Sequence, residues 1–190
     1  MRDGKASTRT ATCPRIKYTP LWVEGLAYHE AGHAVMGLLL GIRVARIAIA
    51  EACDLADSNG ITEYTDLKGI SGLKYALCQL ASAPAEKLAP NYPRFRTLRG
   101  FAAGRRNDQN LAFEVFIPVY QFARLAESTA RQSFRKRTRP LLSRITERPE
   151  NQAVVHEVAA YLMTHKEMDV TTIMRFRGQT VLPTDVLNEL

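Results

Sequence analysis

Apolar residues recur at three- and four-residue intervals over residues 21–40, which is the spacing of one face of an α-helix. The pattern predicts a helix over this range, with Gly41 at its end. The segment 44–50, VARIAIA, alternates and is rich in β-branched residues, so it predicts a strand. Turn-forming residues at 57–60 and a second predicted strand at 61–65 would complete a hairpin.

The rest of the chain is predicted to be mostly helical, with proline and glycine marking the interruptions. The segment 90–106 contains two prolines and two glycines, and it is predicted to be the longest irregular loop. The predicted helices lie at about 71–88 with Pro84 inside, at 107–134 with an interruption near Pro118, at 152–166, and in a shorter stretch at 170–175. The fold class predicted from these elements is mainly α (α+β), with a small β-hairpin after the first helix.

Composition agrees with a globular protein, since 46% of the 190 residues are hydrophobic and 24% are charged. No apolar run approaches the roughly 20 residues that cross a bilayer, so no membrane span is expected. The basic N-terminus has no apolar stretch of a secretory signal. Cys13, Cys53 and Cys78 are too scattered for a disulfide framework, and a cytoplasmic location is expected.

The formal net charge of +7 is concentrated in basic clusters at 1–17, 94–106 and 131–148. Such clusters occur in nucleic-acid-binding proteins and also on solvated helix faces. No signature of a nucleic-acid-binding module accompanies them, so solvated faces and polar loops are the favoured interpretation and nucleic acid the less favoured partner.

The clearest chemical signal is the sequence HEAGH, an HExxH motif that runs from His29 to His33 within the first predicted helix. Side chains four residues apart lie on the same face of a helix, so both imidazoles can bind one Zn²⁺ ion. Glu30 would then face the open side of the metal and act as general base toward a water that the metal acidifies.

A hydrolytic zinc site also needs a third protein ligand, and the spacing of the motif does not identify it. Position 39 is Leu39, so the extended HExxHxxGxxH pattern is absent. The candidates that remain are Asp54, Asp57, Glu86, Asp108, Glu114, His156 and His165.

Several segments resemble the peptidase domain of the membrane-bound AAA zinc proteases, the FtsH family (peptidase family M41). YHEAGHAVMG at 28–37 is similar to the start of that domain, and the predicted hairpin is similar to the hairpin that follows it. ASAPAEKL at 81–88 resembles the helix written GGRAAEEL, and GRRNDQNLA at 104–112 resembles TGASNDIEQAT. Residues 155–175 resemble the closing helix pair, so the resemblance spans about residues 20–176.

The resemblance implies a zinc site formed by His29, His33 and Asp108, with Glu30 as general base. Asp108 matches the aspartate that is the third zinc ligand of the family, and it is expected in the first turn of a helix. Glu86 is the alternative third ligand, or a partner that orients one of the histidines.

The second predicted strand follows the motif helix, which suggests a place for substrate. Its residues Gly60, Ile61 and Thr62 are expected to hold an extended peptide by pairing along the strand edge.

The resemblance also implies a zincin-like helical peptidase domain at 21–176, between a flexible basic tail at 1–20 and a C-terminal tail at 177–190. The chain has no Walker A sequence, so neither the ATPase domain of the family nor the membrane anchor that precedes it is expected. Substrate would then be delivered by a separate ATPase or a homo-oligomer, or would arrive already unfolded.

The function expected from the sequence is that of a zinc metalloendopeptidase without its own ATPase, acting on a protein or peptide substrate. One alternative is a zincin of a mobile element that cleaves a single dedicated regulator. The other is a non-catalytic zinc-containing module whose basic surfaces bind nucleic acid.

Overall fold

A computed structural model describes residues 19–50, 60–97, 99–116 and 127–190. Three strands and a larger number of helices follow one another along these residues, which confirms the mainly α (α+β) prediction. The elements are α1 (Pro20–Leu39), β1 (Arg43–Ile49), β2 (Gly60–Thr65), α2 (Gly72–Leu80), α3 (Ser82–Glu86), α4 (Tyr92–Phe95), α5 (Arg99–Phe116), α6 (Glu127–Thr146), α7 (Pro149–His165), β3 (Glu167–Asp169), α8 (Val170–Met174), a 3₁₀ turn (Arg177–Gln179) and α9 (Thr184–Leu187).

Helix α1 is the central element of the fold. The Thr19 side chain caps it by accepting the backbone N–H of Trp22, and Pro20 occupies the first turn, where a missing N–H costs nothing. Every residue from Gly25 to Leu38 is buried, because α7, α3 and β1 pack around the helix. The helix therefore holds its polar side chains inside the protein, where each of them needs a partner.

The sheet has the order β2–β1–β3, and both pairings are antiparallel. Ile47 of β1 lies opposite Thr62 of β2 on one side and Met168 of β3 on the other. Val44, Ile47 and Ile49 of β1 belong to the same buried cluster as α1, so the sheet packs directly on that helix. The predicted hairpin is confirmed, whereas β3 was not predicted because three residues carry too short a pattern.

The prediction of an irregular loop at 90–106 is wrong. Helix α4 lies within this segment, and α5 begins at Arg99, eight residues before the predicted helix start at about 107. The reason is a long-range contact, because the ring of Phe101 is buried 4.8 Å from Trp22 and 5.0 Å from Phe95. This packing stabilises a helix that the local glycines and arginines alone do not favour.

The expected position of Asp108 is wrong for the same reason. Because α5 begins at Arg99, Asp108 lies in its third turn rather than its first. The free N–H groups of a helix N-terminus therefore do not stabilise its carboxylate. The support that it has comes instead from neighbouring side chains, described below.

Elsewhere the helices follow the prediction with small changes. The predicted helix over 71–88 is divided at Ala81 into α2 and α3, and Pro84 lies in the first turns of α3. The predicted helices at 152–166 and 170–175 correspond to α7 and α8.

The C-terminal segment 177–190, predicted to be a tail, contains the 3₁₀ turn and α9. Val186 is fully buried in a second cluster, together with residues of α2, α5 and α6. Arg144 of α6 forms ion pairs with Asp185 and Glu189. This segment therefore packs on the body of the protein.

Some predictions lie outside the described residues. They are most of the N-terminal tail, the turn at 57–59 and the interruption near Pro118. Among the helices that the structure describes, none has the length and hydropathy of a membrane-spanning segment.

Candidate metal centre

The HEAGH sequence lies in the buried middle of α1, and both of its histidines point to one place. The Nε2 atoms of His29 and His33 are 3.2 Å apart. Gly32 allows this region to pack tightly, since a Cβ there would lie 2.6 Å from the carbonyl oxygen of Ala81 and from the Cβ of Ala85. Helices α2 and α3 can therefore come close enough for Cys78 to contact His33 and for Glu86 to contact His29.

Asp108 of α5 completes a group of three. Its Oδ2 atom is 3.3 Å from Nε2 of His29 and 3.7 Å from Nε2 of His33. Ligands at the usual 2.0–2.1 Å from a tetrahedral zinc ion are separated by about 3.3 Å, so the three atoms have the spacing that such an ion requires. Among the described residues, His29, His33 and Asp108 form a buried cluster that could hold a metal ion.

The hydrogen bonds of the imidazoles leave both Nε2 atoms available to a metal. Nδ1 of His33 lies 2.7 Å from the carbonyl oxygen of Cys78, which can only accept, so Nδ1 carries the proton. Nδ1 of His29 donates in the same way to Oε1 of Glu86, at 2.8 Å. In two neutral imidazoles that carry their protons on Nδ1, the lone pairs of the two Nε2 atoms would face each other at 3.2 Å. A cation between the two Nε2 atoms stabilises this arrangement.

Glu86 is not placed with the three ligand atoms. Its carboxylate contacts the Nδ1 side of His29, away from Nε2, and it is completely buried. Its second oxygen accepts a hydrogen bond from Nη1 of Arg105. Of the two alternatives for Glu86, the geometry corresponds to the partner that orients a histidine.

The charges around the site favour a cation. Burial lowers the pKa of His33, but the hydrogen bond with Asp108 and the charges of Glu30 and Asp108 outweigh it and raise the value to about 9. For Asp108, burial raises the pKa, yet His33, His29 and a 2.8 Å hydrogen bond from Ser82 bring it below its usual value. Without a metal, the neighbouring carboxylates therefore favour a proton on His33, and a divalent ion can take its place.

Glu30 faces the strand side of the site. Its Oε2 atom accepts a 2.7 Å hydrogen bond from the hydroxyl of Thr62, and a Cβ at position 60 would lie 2.5 Å from its Oε1 atom. Gly60 thus makes room for the carboxylate. The hydroxyl of Tyr64, also on β2, donates to the carbonyl oxygen of His33 and ties the strand to α1.

The site opens into a cleft with a volume of about 710 Å³. The cleft is large enough for several residues of a peptide. One wall is β2, which includes the three residues expected to contact substrate, Gly60, Ile61 and Thr62. A second wall is formed by α1 and α5, and the cleft is also lined by apolar side chains: Trp22, Leu26, Phe101 and Leu111.

The other candidate ligands do not join the site. Glu114 is exposed on α5, His156 bonds the hydroxyl of Tyr28, and the ring of His165 stacks on Tyr161. Asp54 and Asp57 lie outside the described residues.

Three supporting groups were missed by the sequence analysis: Arg105, Ser82 and the backbone carbonyl of Cys78. Arg105 precedes Asp108 by three residues, the spacing of neighbours on one helix face. That signal was hidden because a loop was predicted there. A backbone carbonyl leaves no signal in the sequence, because every residue has one.

The basic clusters differ in their surroundings. Within 94–106, Arg105 is partly buried and bonds Glu86 behind His29, whereas Arg106 is exposed. On α6, Arg135, Lys136 and Arg139 are exposed. The cluster at 1–17 lies outside the described residues.

Comparison with known proteins gives no assignment. No protein-family model matches the chain, and no curated protein is significantly similar to it in sequence.

Proposed function

We propose that the protein is a zinc-dependent metallopeptidase, as its resemblance to peptidase family M41 implies. One observation carries the proposal: two Nε2 atoms and one carboxylate oxygen converge at 3.2–3.7 Å, beside a buried glutamate, and all four residues line an open cleft. Two histidines and one carboxylate are a common donor set of catalytic zinc, which keeps a fourth position open for water.

The chemistry is divided between the metal and Glu30. A bound zinc ion supplies a water of lowered pKa and polarises the scissile carbonyl. Glu30 accepts the proton of the attacking water and passes it to the leaving amine, so that one carboxylate acts as base and then as acid. The Thr62 hydroxyl holds this carboxylate in place through Oε2, which leaves Oε1 for the proton.

A peptide suits the cleft better than a small ester or amide. Strand β2 lies at the edge of the described sheet, since it pairs with β1 on one side only. An extended peptide can pair with such an edge and pass its scissile bond over the metal centre. The residues proposed to hold the peptide are Gly60, Ile61 and Thr62. The proposed substrate class is unfolded protein, which a separate ATPase or a homo-oligomer would deliver.

The direct test combines metal analysis with peptide hydrolysis. We expect about one zinc per chain, and loss of hydrolysis on chelation that added zinc restores. The Glu30→Gln variant should keep its zinc but lose about 10²–10⁴-fold in kcat, because it removes only the proton carrier. Glu63→Gln, a neighbouring carboxylate on β2 that binds Arg46, is the matched control and should be fully active.

Two results would reject the proposal. A correctly folded, zinc-supplemented protein without bound zinc would remove the metal site. Full activity of Glu30→Gln would remove the assigned base. Cleavage of one protein with no activity on general peptides would instead favour the alternative of a dedicated regulator protease.

A second candidate function has one observation in its favour, the exposed basic residues of α6. Arg135, Lys136 and Arg139 could bind phosphates in a non-catalytic, zinc-containing module. Salt-dependent nucleic-acid binding without hydrolysis would support this candidate. Binding that is unchanged when all three residues are replaced by glutamine would reject it.

A further inference from the structure

Arg105 lies behind the metal centre and connects three parts of the fold. From α5, its Nη1 bonds Oε2 of Glu86, the last residue of α3. Its Nη2 donates to the carbonyl oxygen of Arg96, just after α4, at 2.9 Å. The side chain is 20% exposed, so most of the guanidinium is enclosed. A planar group with two such bonds is fixed in orientation as well as in position.

The carboxylate of Glu86 is completely buried, so its charge requires partners. One oxygen accepts the N–H of His29, and the other accepts the guanidinium of Arg105. The neutral imidazole alone would leave the negative charge unpaired in the interior. Arg105 is therefore the group that allows a buried carboxylate to stand against His29.

The two histidines differ in the kind of group that orients each imidazole. His33 donates to the carbonyl of Cys78, whose position is set by the backbone of α2. His29 donates to a side chain that is itself oriented by another side chain. The direction of His29 can therefore be changed by a substitution at Arg105, whereas the direction of His33 cannot.

We propose that Arg105 is a positioning residue of the metal centre, which acts through Glu86 to aim Nε2 of His29 at the ion. Arg105 and Asp108 are three residues apart on α5, so the same helix turn supplies one ligand and orients another. This inference rests on the proposed metal site and does not depend on which substrate is cleaved.

The sign of the effect on metal affinity separates this role from simple electrostatics. A guanidinium that acted only as a nearby positive charge would repel a divalent ion, so its removal would tighten metal binding. If the guanidinium instead positions Glu86 and His29, its removal should weaken metal binding. Replacement of a group that orients a ligand typically weakens metal binding by about 10–100-fold.

The test is a titration of the metal-free protein with Co²⁺ and Zn²⁺ against a competing chelator, together with the visible spectrum of the Co²⁺ form. We expect Arg105→Gln to weaken binding of both ions by about 10–100-fold and to alter the Co²⁺ spectrum. Arg105→Lys, which keeps the charge but cannot make both bonds in the same way, should recover part of the affinity. Arg106→Gln, at the exposed neighbouring position, should match the parent.

A double substitution tests whether Arg105 acts through Glu86. In the Glu86→Gln background, we expect Arg105→Gln to change the affinity by less than about 2-fold, because the intermediary is already lost. An equal loss in both backgrounds would overturn the proposal. Thermal unfolding shows whether Arg105→Gln is folded without metal. If it is not, Arg105→Lys is compared with the parent, and the Arg105→Lys, Glu86→Gln double variant is compared with Glu86→Gln, by the same criteria.

The remaining outcomes are also decisive. Unchanged or tighter binding by Arg105→Gln, with an unchanged Co²⁺ spectrum, would overturn the positioning role while the metal site stands. A parent protein that binds neither ion would instead reject the proposed function.

Discussion

The two walls of the cleft support the centre by different means. On the helical wall, formal charges accumulate: Asp108 supplies a ligand atom, and the pair of Arg105 and Glu86 stands behind His29. On the strand wall, the groups that contact α1 carry no charge, because Thr62 and Tyr64 use hydroxyls and Gly60 has no side chain. The metal ligands come from α1 and α5, whereas the carboxylate of Glu30, also on α1, is held from the strand wall by Thr62.

This division implies that metal binding and proton transfer can be changed separately. A substitution on the helical wall alters the charge or direction of a ligand, and so the affinity for the ion. A substitution at Gly60 or Thr62 acts on the Glu30 carboxylate and on none of the three ligand atoms. Three variants test this separation.

The largest effect is expected on the helical wall. Asp108→Ala should reduce bound zinc from about one per chain to near zero, since two histidines alone bind the ion weakly. Hydrolysis should fall with it, and elemental analysis of dialysed protein provides the measurement. Glu114→Ala, which removes an exposed carboxylate from the same helix, should retain zinc and activity. Zinc retained by Asp108→Ala would place the third ligand elsewhere.

A smaller effect is expected at Gly60. Its substitution by alanine would place a Cβ 2.5 Å from Oε1 of Glu30, so the strand or the carboxylate must shift. Since a displacement of about 1 Å can cost roughly 10²-fold, we expect kcat to fall by about 10–100-fold with zinc content unchanged. Gly178→Ala, where a Cβ meets nothing within 4 Å, is the control. Loss of zinc in Gly60→Ala would contradict the separation of the walls.

The smallest effect is expected at Thr62. Thr62→Val keeps the shape of the side chain but removes the 2.7 Å hydrogen bond to Glu30. Because water from the open cleft can replace the lost donor, kcat should fall by less than about 10-fold. Thr62→Ser keeps the hydroxyl and should restore most of the rate. If valine and serine behaved alike, the hydroxyl would have no part in holding the glutamate.

The sequence predicted the elements whose residues carry their own periodic pattern. Helix α1 and the hairpin strands β1 and β2 were located within a residue or so of their observed ends, because each is marked in the sequence itself, by apolar residues at helical spacing or by β-branched residues beside turn-forming ones. The start of α5 was not predicted, since it depends on Phe101 packing against residues distant in the chain. Tertiary contacts of this kind outweigh local propensity.

The candidate site shows the same limit. The spacing of His29 and His33 predicted their convergence, whereas Asp108 came from a resemblance and not from spacing. Ser82 and Arg105 were not predicted at all, because each acts on a partner in another element. Local patterns describe which side chains share a helix face, but they do not describe which elements meet.

Gly32 has a consequence for the evolution of this chain. A side chain there would press on the backbone at Ala81 and on Ala85, between the Cys78 carbonyl and Glu86. Any larger residue would therefore push away both groups that orient the histidines. Related sequences that keep the motif should therefore preserve glycine at this position and small residues at the two positions that face it.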